Sequence, residues 1–365
     1  MRTLAGSILA LLLLAAFPSP AIAQGSLTTD MVTRADSLYG ARDYAGAAEA
    51  YAAALERLAE DAPGREAALL GLARARLGEG RAEESLALFE RLRELARARG
   101  DRAAEMAAVM GIGSSEKSLG RHRRAIGAAL EAIEIARELG EPVREGYLWN
   151  NLAGAWTFMG DPARAIDAYR RALELVPQDD RFYDRILGGL AAAHKGRAEY
   201  ARAEALYLEA REINAVTGDR YTAGTIHDGL GGLYAATGRY EEALAEYAAA
   251  LETTRVTGAR AAEGFTLEHM AAVRAELGDA AGARVDADAA LAIQRETGDR
   301  SGEADALALL AELAREAGET DRAIALHEEA LAVARESGLA GREAEAGTGL
   351  AAALLAAERP ADALA

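Results

Sequence analysis

The sequence predicts an all-α protein built from stacked helical hairpins. Two observations carry that prediction, one of composition and one of period. Of 365 residues, 51% are hydrophobic but only 5% are aromatic, and the apolar residues are mostly Ala and Leu. These are strong helix formers, unlike the β-branched and aromatic residues that favour strands. Such an apolar fraction is also too high for a disordered chain. Glycine then recurs at a spacing of 20, at 80, 100, 120, 140 and 160 and again at 218, 238, 258, 278, 298, 318 and 338. Glycine just past a helix end is the usual left-handed terminator, because it has no Cβ to clash.

In chain order, the first element is an export signal. Arg2 opens it, an apolar run from Leu4 to Phe17 follows, and Pro18-Ser19-Pro20 breaks the run. Ala21-Ile22-Ala23 has the small-x-small pattern read by signal peptidase, so cleavage before Gln24 is expected. The run is shorter than the ~20 residues that a membrane span needs, so no membrane insertion is expected after cleavage. The mature chain is expected in the periplasm or outside the cell. Loss of Arg2 would take the net charge from −17 to −18. Only Lys117 and Lys195 are lysines, and this preference for arginine points to a GC-rich bacterial genome.

Residues 24–365 form the repeat region. Asp follows the terminating glycine in Gly100-Asp101, Gly160-Asp161, Gly218-Asp219, Gly278-Asp279 and Gly298-Asp299, where it is suited to cap the next helix. The unit is therefore helix, tight turn, helix, tight turn, over 40 residues. Aligned on the turn inside each hairpin, the repeats centre on Arg42, Gly80, Gly120, Gly160, Ala198, Gly238, Gly278, Gly318 and Glu358. The steps are 40 except for two of 38, at Arg42 to Gly80 and at Gly160 to Ala198. This gives about eight and a half hairpins, the last incomplete.

The columns of this alignment predict the packing. Five residues after the turn stand Ala47, Ser85, Ala125, Ala165, Ala203, Ala243, Ala283 and Ala323, and twelve after it Ala54, Leu92, Ala132, Ala172, Ala210, Ala250, Ala290 and Ala330. Seven before it are Ala35, Ala73, Gly113, Ala153, Ala191, Gly231, Ala271 and Ala311. Small residues on both helices let the axes approach to ~8 Å. Nine after the turn come Tyr51, Phe89, Ala129, Tyr169, Tyr207, Tyr247, Ala287 and His327, large enough to fill the gap toward a neighbour. One hairpin cannot bury such a face alone, so residues 24–365 are expected to form a single stacked array.

These columns resemble the tetratricopeptide repeat. The stretch from Gly238-Arg239-Tyr240-Glu241-Glu242-Ala243 through Tyr247 to Ala250-Leu251 is similar to the second half of that repeat. So is Gly160-Asp161-Pro162-Ala163-Arg164-Ala165-Ile166 with Tyr169, Ala172, Leu173 and Pro177. The 40-residue period exceeds the family's usual length of about 34. It is similar to a longer subclass found in spindle-orientation adaptors, kinesin light chains, the maltose-regulon activator and CHAT-protease-associated repeats. The resemblance implies a right-handed α-α superhelix with first helices lining a concave groove that holds a peptide or protein.

Chemistry of other kinds is not expected. The chain has no Cys, which excludes a disulfide framework, a thiolate zinc site and a cysteine nucleophile. A net charge of −17 argues against nucleic acid, since phosphate binding needs clustered cations. His194, His227 and His269 fall on successive first helices at different positions, and His327 falls in the aromatic core column, so no metal site is expected. Gly111-Ile112-Gly113 and Gly229-Leu230-Gly231-Gly232 lie on packing columns without a preceding strand, so no phosphate loop and no cofactor are expected. No catalytic residue stands out.

Candidate partner-binding residues come from repeat register. Tyr147, Asn150 and Asn151 lie in Tyr147-Leu148-Trp149-Asn150-Asn151, and the resemblance implies that an amide at Asn151 would bond a peptide backbone. The same column elsewhere holds Gly71, Gly111, Gly189, Gly229, His269, Leu309 and Gly349, so an asparagine ladder is mostly missing. Arg185, Lys195, Asp228, Glu268 and His269 are the further groove candidates. Trp149 and Trp156 are expected in the core. Residues 358–365 would begin a ninth second helix, which leaves the last apolar face to a downstream domain or a capping partner. The function expected is an exported, non-enzymatic adaptor. The alternative is the sensing or scaffold region of a larger enzyme or signalling protein, such as a CHAT-type protease.

Overall fold

The computed structural model describes residues 20–59, 62 and 64–357, with side chains from residue 30. Most of the expected signal, residues 1–19, and the expected ninth second helix, residues 358–365, lie outside the described residues. Seventeen α-helices and no strand occur among the described residues. None of these helices is long and apolar enough to cross a membrane.

The helices group into two compact units, residues 1–141 and 142–365. The first unit holds α1 (Pro20–Gly40), α2 (Tyr44–Arg57), α3 (Arg65–Gly78), α4 (Ala82–Arg99), α5 (Arg102–Ser118) and α6 (His122–Glu138). The second holds α7 (Pro142–Phe158), α8 (Pro162–Leu175), α9 (Tyr183–Gly196), α10 (Tyr200–Thr217), α11 (Arg220–Ala236) and α12 (Tyr240–Thr257). It continues with α13 (Arg260–Glu276), α14 (Ala280–Thr297), α15 (Arg300–Glu316), α16 (Thr320–Glu336) and α17 (Ala340–Ala356). Within each unit a helix packs on the one before it and the one after it, and first helices also touch across the intervening second helix. α1 begins at Pro20 and so runs through the expected cleavage position.

Local backbone chemistry sets this alternation. Gly80, Gly120, Gly160, Gly238, Gly278 and Gly318 are all left-handed, and so are Arg42 (φ 62) and Ala198 (φ 58), the two non-glycine residues of the same turn column. The capping aspartates act as expected. Asp101, Asp161, Asp279 and Asp299 accept from the backbone N–H three residues on, and Asp219 accepts from Tyr221. The two short steps of 38 are also explained. α2 and α8 have only 14 residues each and end at Leu58 (ψ 126) and Val176 (ψ 124), in extended backbone rather than a tight turn.

Packing follows the small-residue columns. Ala54, Ala132, Ala172, Ala210, Ala250, Ala290 and Ala330 are completely buried. Ser85, the polar member of its alanine column, is buried too, and its hydroxyl donates to the Ala73 carbonyl at 2.8 Å. Four aromatics of the second helices lie over a glycine of the next first helix, Tyr51 over Gly71, Phe89 over Gly111, Tyr169 over Gly189 and Tyr207 over Gly229, and likewise His327 over Gly349. A Cβ on Gly189 or Gly229 would stand 2.5 Å from the facing tyrosine ring, closer than carbon atoms pack. The missing asparagine ladder therefore has a steric cause, because the aromatic claims the space that a side chain would need.

Candidate functional site: the first-helix face of residues 142–365

The glycine rule fails at two places in the second unit. Where the aromatic column holds Ala287, the facing position holds Leu309, packed with it in one apolar cluster. That exchange conserves volume. At the other place Tyr247 is retained, yet the facing residue is His269. The Tyr247 ring turns back over its own hairpin, where a Cβ on Gly231 would stand 2.6 Å from it. His269 is left on the surface, with its ring centroid 5.4 Å from that of Tyr247.

Around this exception three first helices bring charged groups together. His269 Nδ1, on α13, lies 3.2 Å from Asp228 Oδ1 on α11, and Thr266 Oγ1 donates to the same oxygen at 3.4 Å. Lys195, at the end of α9, reaches the empty side of Gly232, one turn along α11 from Asp228. A Cβ on Gly232 would stand 2.6 Å from its Nζ. Among the described residues the Lys195 ammonium makes no hydrogen bond and no ion pair within 4 Å. Burial lowers its pKa, and the Asp228 carboxylate opposes that shift. Burial likewise acts to lower the His269 pKa, but the Asp228 contact outweighs it and the net shift is upward. Beside His269, Glu268 accepts from Gln294 Nε2 at 2.8 Å, and burial raises its pKa.

The remaining candidates are committed elsewhere. Tyr147 donates its hydroxyl to Asp180 Oδ2 at 2.6 Å and packs edge-on against Phe182, both in the connector between α8 and α9. Burial and that carboxylate raise its pKa to about 12. Arg185 pairs with Asp219 at 3.2 Å and lies over the Phe182 ring. Asn151 is exposed and Asn150 half-buried on α7, and among the described residues neither side chain hydrogen-bonds to the cluster. Trp149 and Trp156 are half-buried, packed against the apolar core of α7–α9. Among the described residues, no group of three His, Asp or Glu could hold a metal ion.

Next to the cluster is a feature that register alone did not reveal. A cavity of about 250 Å³ lies between α11, the end of α12 and α13. Exposed Tyr221 and Phe265 stand at it, Thr225, Thr253, Thr254 and Thr257 line its walls, and Asp228 and His269 close one end. Its trace in the sequence is a second-helix column that reads Asn214, Thr254 and Gln294 at 40-residue spacing.

Fold and site together describe an array of helical hairpins with polar side chains gathered on its first-helix face. Family models of the tetratricopeptide repeat match residues 147–179, 226–256 and 263–336. The chain carries tetratricopeptide repeats over these residues. Among solved structures it is similar to the quorum sensor NprR from B. thuringiensis in its apo form, with a TM-score of 0.62 and 16% identity over 92% of this chain and 96% of that one. It is also similar to the apo form of RapI, with a TM-score of 0.57 and 16% identity over 91% and 99%. A tetratricopeptide-repeat protein from Parabacteroides merdae gives a TM-score of 0.53 and 14% identity over 73% and 93%. No curated protein is similar enough in sequence to match.

Proposed function

We propose that the chain is an exported, non-enzymatic scaffold that holds a peptide segment of a partner protein against the first-helix face of α9, α11 and α13. The observation that carries this is the meeting of Lys195, Asp228 and His269 from three successive first helices, where Tyr247 faces His269 instead of a glycine. An ammonium with no hydrogen bond among the described residues, a carboxylate with one oxygen free of donors among them and a surface imidazole can together bond both polarities of a peptide. The tetratricopeptide-repeat family is one of interaction scaffolds, which supports the reading. Export rests on Arg2, the apolar run to Phe17 and Ala21-Ile22-Ala23.

The test uses residues 24–365, immobilised and panned against a displayed random heptapeptide library. Peptides so selected should bind the unmodified chain in solution by fluorescence anisotropy, and Asp228→Ala and His269→Ala should each weaken them about tenfold, the scale of one lost charge-assisted bond. The double change Asn150→Ala/Asn151→Ala asks whether the bound segment extends to α7. Unaltered binding by both Asp228→Ala and His269→Ala would remove the site from these helices. Failure to select any peptide would remove the peptide-binding reading itself. For export, N-terminal sequencing of the mature protein should begin at Gln24, and a product beginning at Met1 would overturn it.

A further inference from the structure

The second-helix position that faces this cavity holds an amide in both neighbouring hairpins, and in α13–α14 that amide bonds the counterpart of Asp228. In hairpin α9–α10 the position 40 residues before Asp228 is Gly188, and Asn214 Nδ2 donates instead to Asp184 Oδ2, one turn earlier on α9, at 2.8 Å. In hairpin α13–α14, Gln294 Nε2 donates to Glu268 Oε2 at 2.8 Å. The Gln294 side chain also lies on α15, where a Cβ on Gly302 would stand 2.7 Å from its Nε2. Hairpin α11–α12 keeps the carboxylate, since Asp228 stands 40 residues before Glu268, but places Thr254 where its neighbours have an amide. The Thr254 hydroxyl is turned away and donates to the Leu251 carbonyl at 3.0 Å. The amide is missing, its acceptor remains, and the space stays open at about 250 Å³.

We propose that this cavity takes the primary-amide side chain of a glutamine or asparagine from a bound peptide, which donates its N–H to Asp228 as Gln294 does to Glu268. The inference rests on the peptide-binding reading above and names the residue type that the site selects. Charge decides against the ionised side chains, and the amide of Gln294 on Glu268 sets the neutral donor that fits. Oδ1 of Asp228 already faces His269 and Thr266, and Lys195 adds positive charge nearby, so a further cation meets repulsion. A carboxylate would face Asp228 itself and the carbonyl end of α12, which carries the negative pole of that helix. A neutral N–H donor suffers neither penalty. The Tyr221 and Phe265 rings offer flat apolar surfaces to its methylene stem.

The experiment repeats the heptapeptide selection with the unmodified chain, with Thr254→Gln, which supplies the neighbouring hairpin's amide from within, and with Asp228→Asn. The unmodified chain should enrich glutamine or asparagine at one peptide position, and both variants should lose that preference. In a selected peptide, replacing the amide residue by methionine should weaken binding to the unmodified chain about tenfold and leave binding to Thr254→Gln unchanged. Thr254→Gln should melt no lower than the unmodified chain, so its loss of preference cannot be charged to unfolding. Enrichment of arginine, of acidic residues or of no residue type, or a glutamine preference that survives Thr254→Gln, overturns this proposal while leaving peptide binding standing. No enrichment of any peptide overturns the peptide-binding reading and this proposal with it.

Discussion

Between α12 and α14, Glu263 is shared by Arg255 at 2.9 Å and Arg260 at 2.7 Å, and Arg260 continues to Glu296. The next junction repeats this with Arg295, Glu303, Arg300 and Glu336. One junction earlier, between α10 and α12, the corresponding positions are Ala215, Ala223 and Val256, and the relay cannot form. There the seam is held from inside. Asp184, fully buried, accepts from Asn214 Nδ2 at 2.8 Å and from the Thr217 hydroxyl at 2.9 Å, and Asn214 also donates to the Asp219 carbonyl at 3.0 Å. The first solution is modular. Its arginines are half exposed, and unit 1 uses it too, with Arg97 and Arg102 on Glu105 and Arg102 on Glu138. The second is specific to one seam, and it adjoins the hairpin where the amide is missing and the candidate site opens. A repeat array can vary one seam without disturbing the others, because each hairpin answers only to its neighbours.

The two seams should therefore break differently. Asp184→Ala leaves the Asn214 donor buried without its carboxylate, at a cost of about 3 kcal/mol. Glu263→Ala releases two arginines that water can solvate, so the cost should be about 1 kcal/mol. Hydrogen exchange is the suitable measurement, since a repeat array need not unfold in one step. It should show α9 and α10 opening far more readily in Asp184→Ala than α13 and α14 do in Glu263→Ala. Equal effects would mean that the inner network is no stronger than the outer relay.

The turns and caps were legible in the sequence because they depend on one residue's backbone. Even Arg42 and Ala198 were placed by register alone, and both adopt the left-handed conformation. The grouping of Lys195, Asp228 and His269 was partly legible, since helical register puts them on one face of successive first helices. Tyr147 was placed on that same face, but its commitment to Asp180 depends on the irregular 176–182 connector, whose path no periodicity encodes. The glycine column could be mistaken for a depleted ladder until the facing aromatics were seen in contact with it. The cavity was the least legible feature, because it exists only as the difference between Thr254 and two amides 40 residues to either side.

Acid should separate the relay from the groove by sign. Burial works to raise the Glu263 pKa, but the hydrogen bonds from Arg255 and Arg260 outweigh it and the folded value lies below the usual one. Its stabilisation is present above the unfolded carboxylate value and is lost as pH falls through the folded one. Glu268 is shifted the other way, raised by burial. It favours the folded state below its unfolded value, and that contribution is lost as pH rises through the folded value. On going from neutral pH to pH ~3, below the usual carboxylate range, Glu263→Gln should lose less stability than the unmodified chain and Glu268→Gln should lose more. Denaturation midpoints across that range measure both, and parallel curves for the two variants would remove the distinction.

The turns inside the two kinds of hairpin give the finest comparison, because they differ by one methyl group. Ala198 joins α9 to α10 at φ 58, and Gly278 joins α13 to α14 at φ 78. A Cβ at Gly278 meets nothing within 4 Å, so the cost of a side chain there is conformational alone. The left-handed conformation costs an L-residue roughly 1 kcal/mol, and glycine avoids that cost while giving up more entropy on folding. Ala198→Gly should thus stabilise its hairpin by about 0.5 kcal/mol, and Gly278→Ala should destabilise its own by about 1 kcal/mol. The opposite signs make the pair informative, since a general effect of turn substitution would move both hairpins the same way. If Ala198→Gly instead lowers the denaturation midpoint, the α9–α10 turn is held by something beyond its backbone. The Glu199 carboxylate, 2.7 Å from His194 Nδ1 across that turn, is then the contact to remove next.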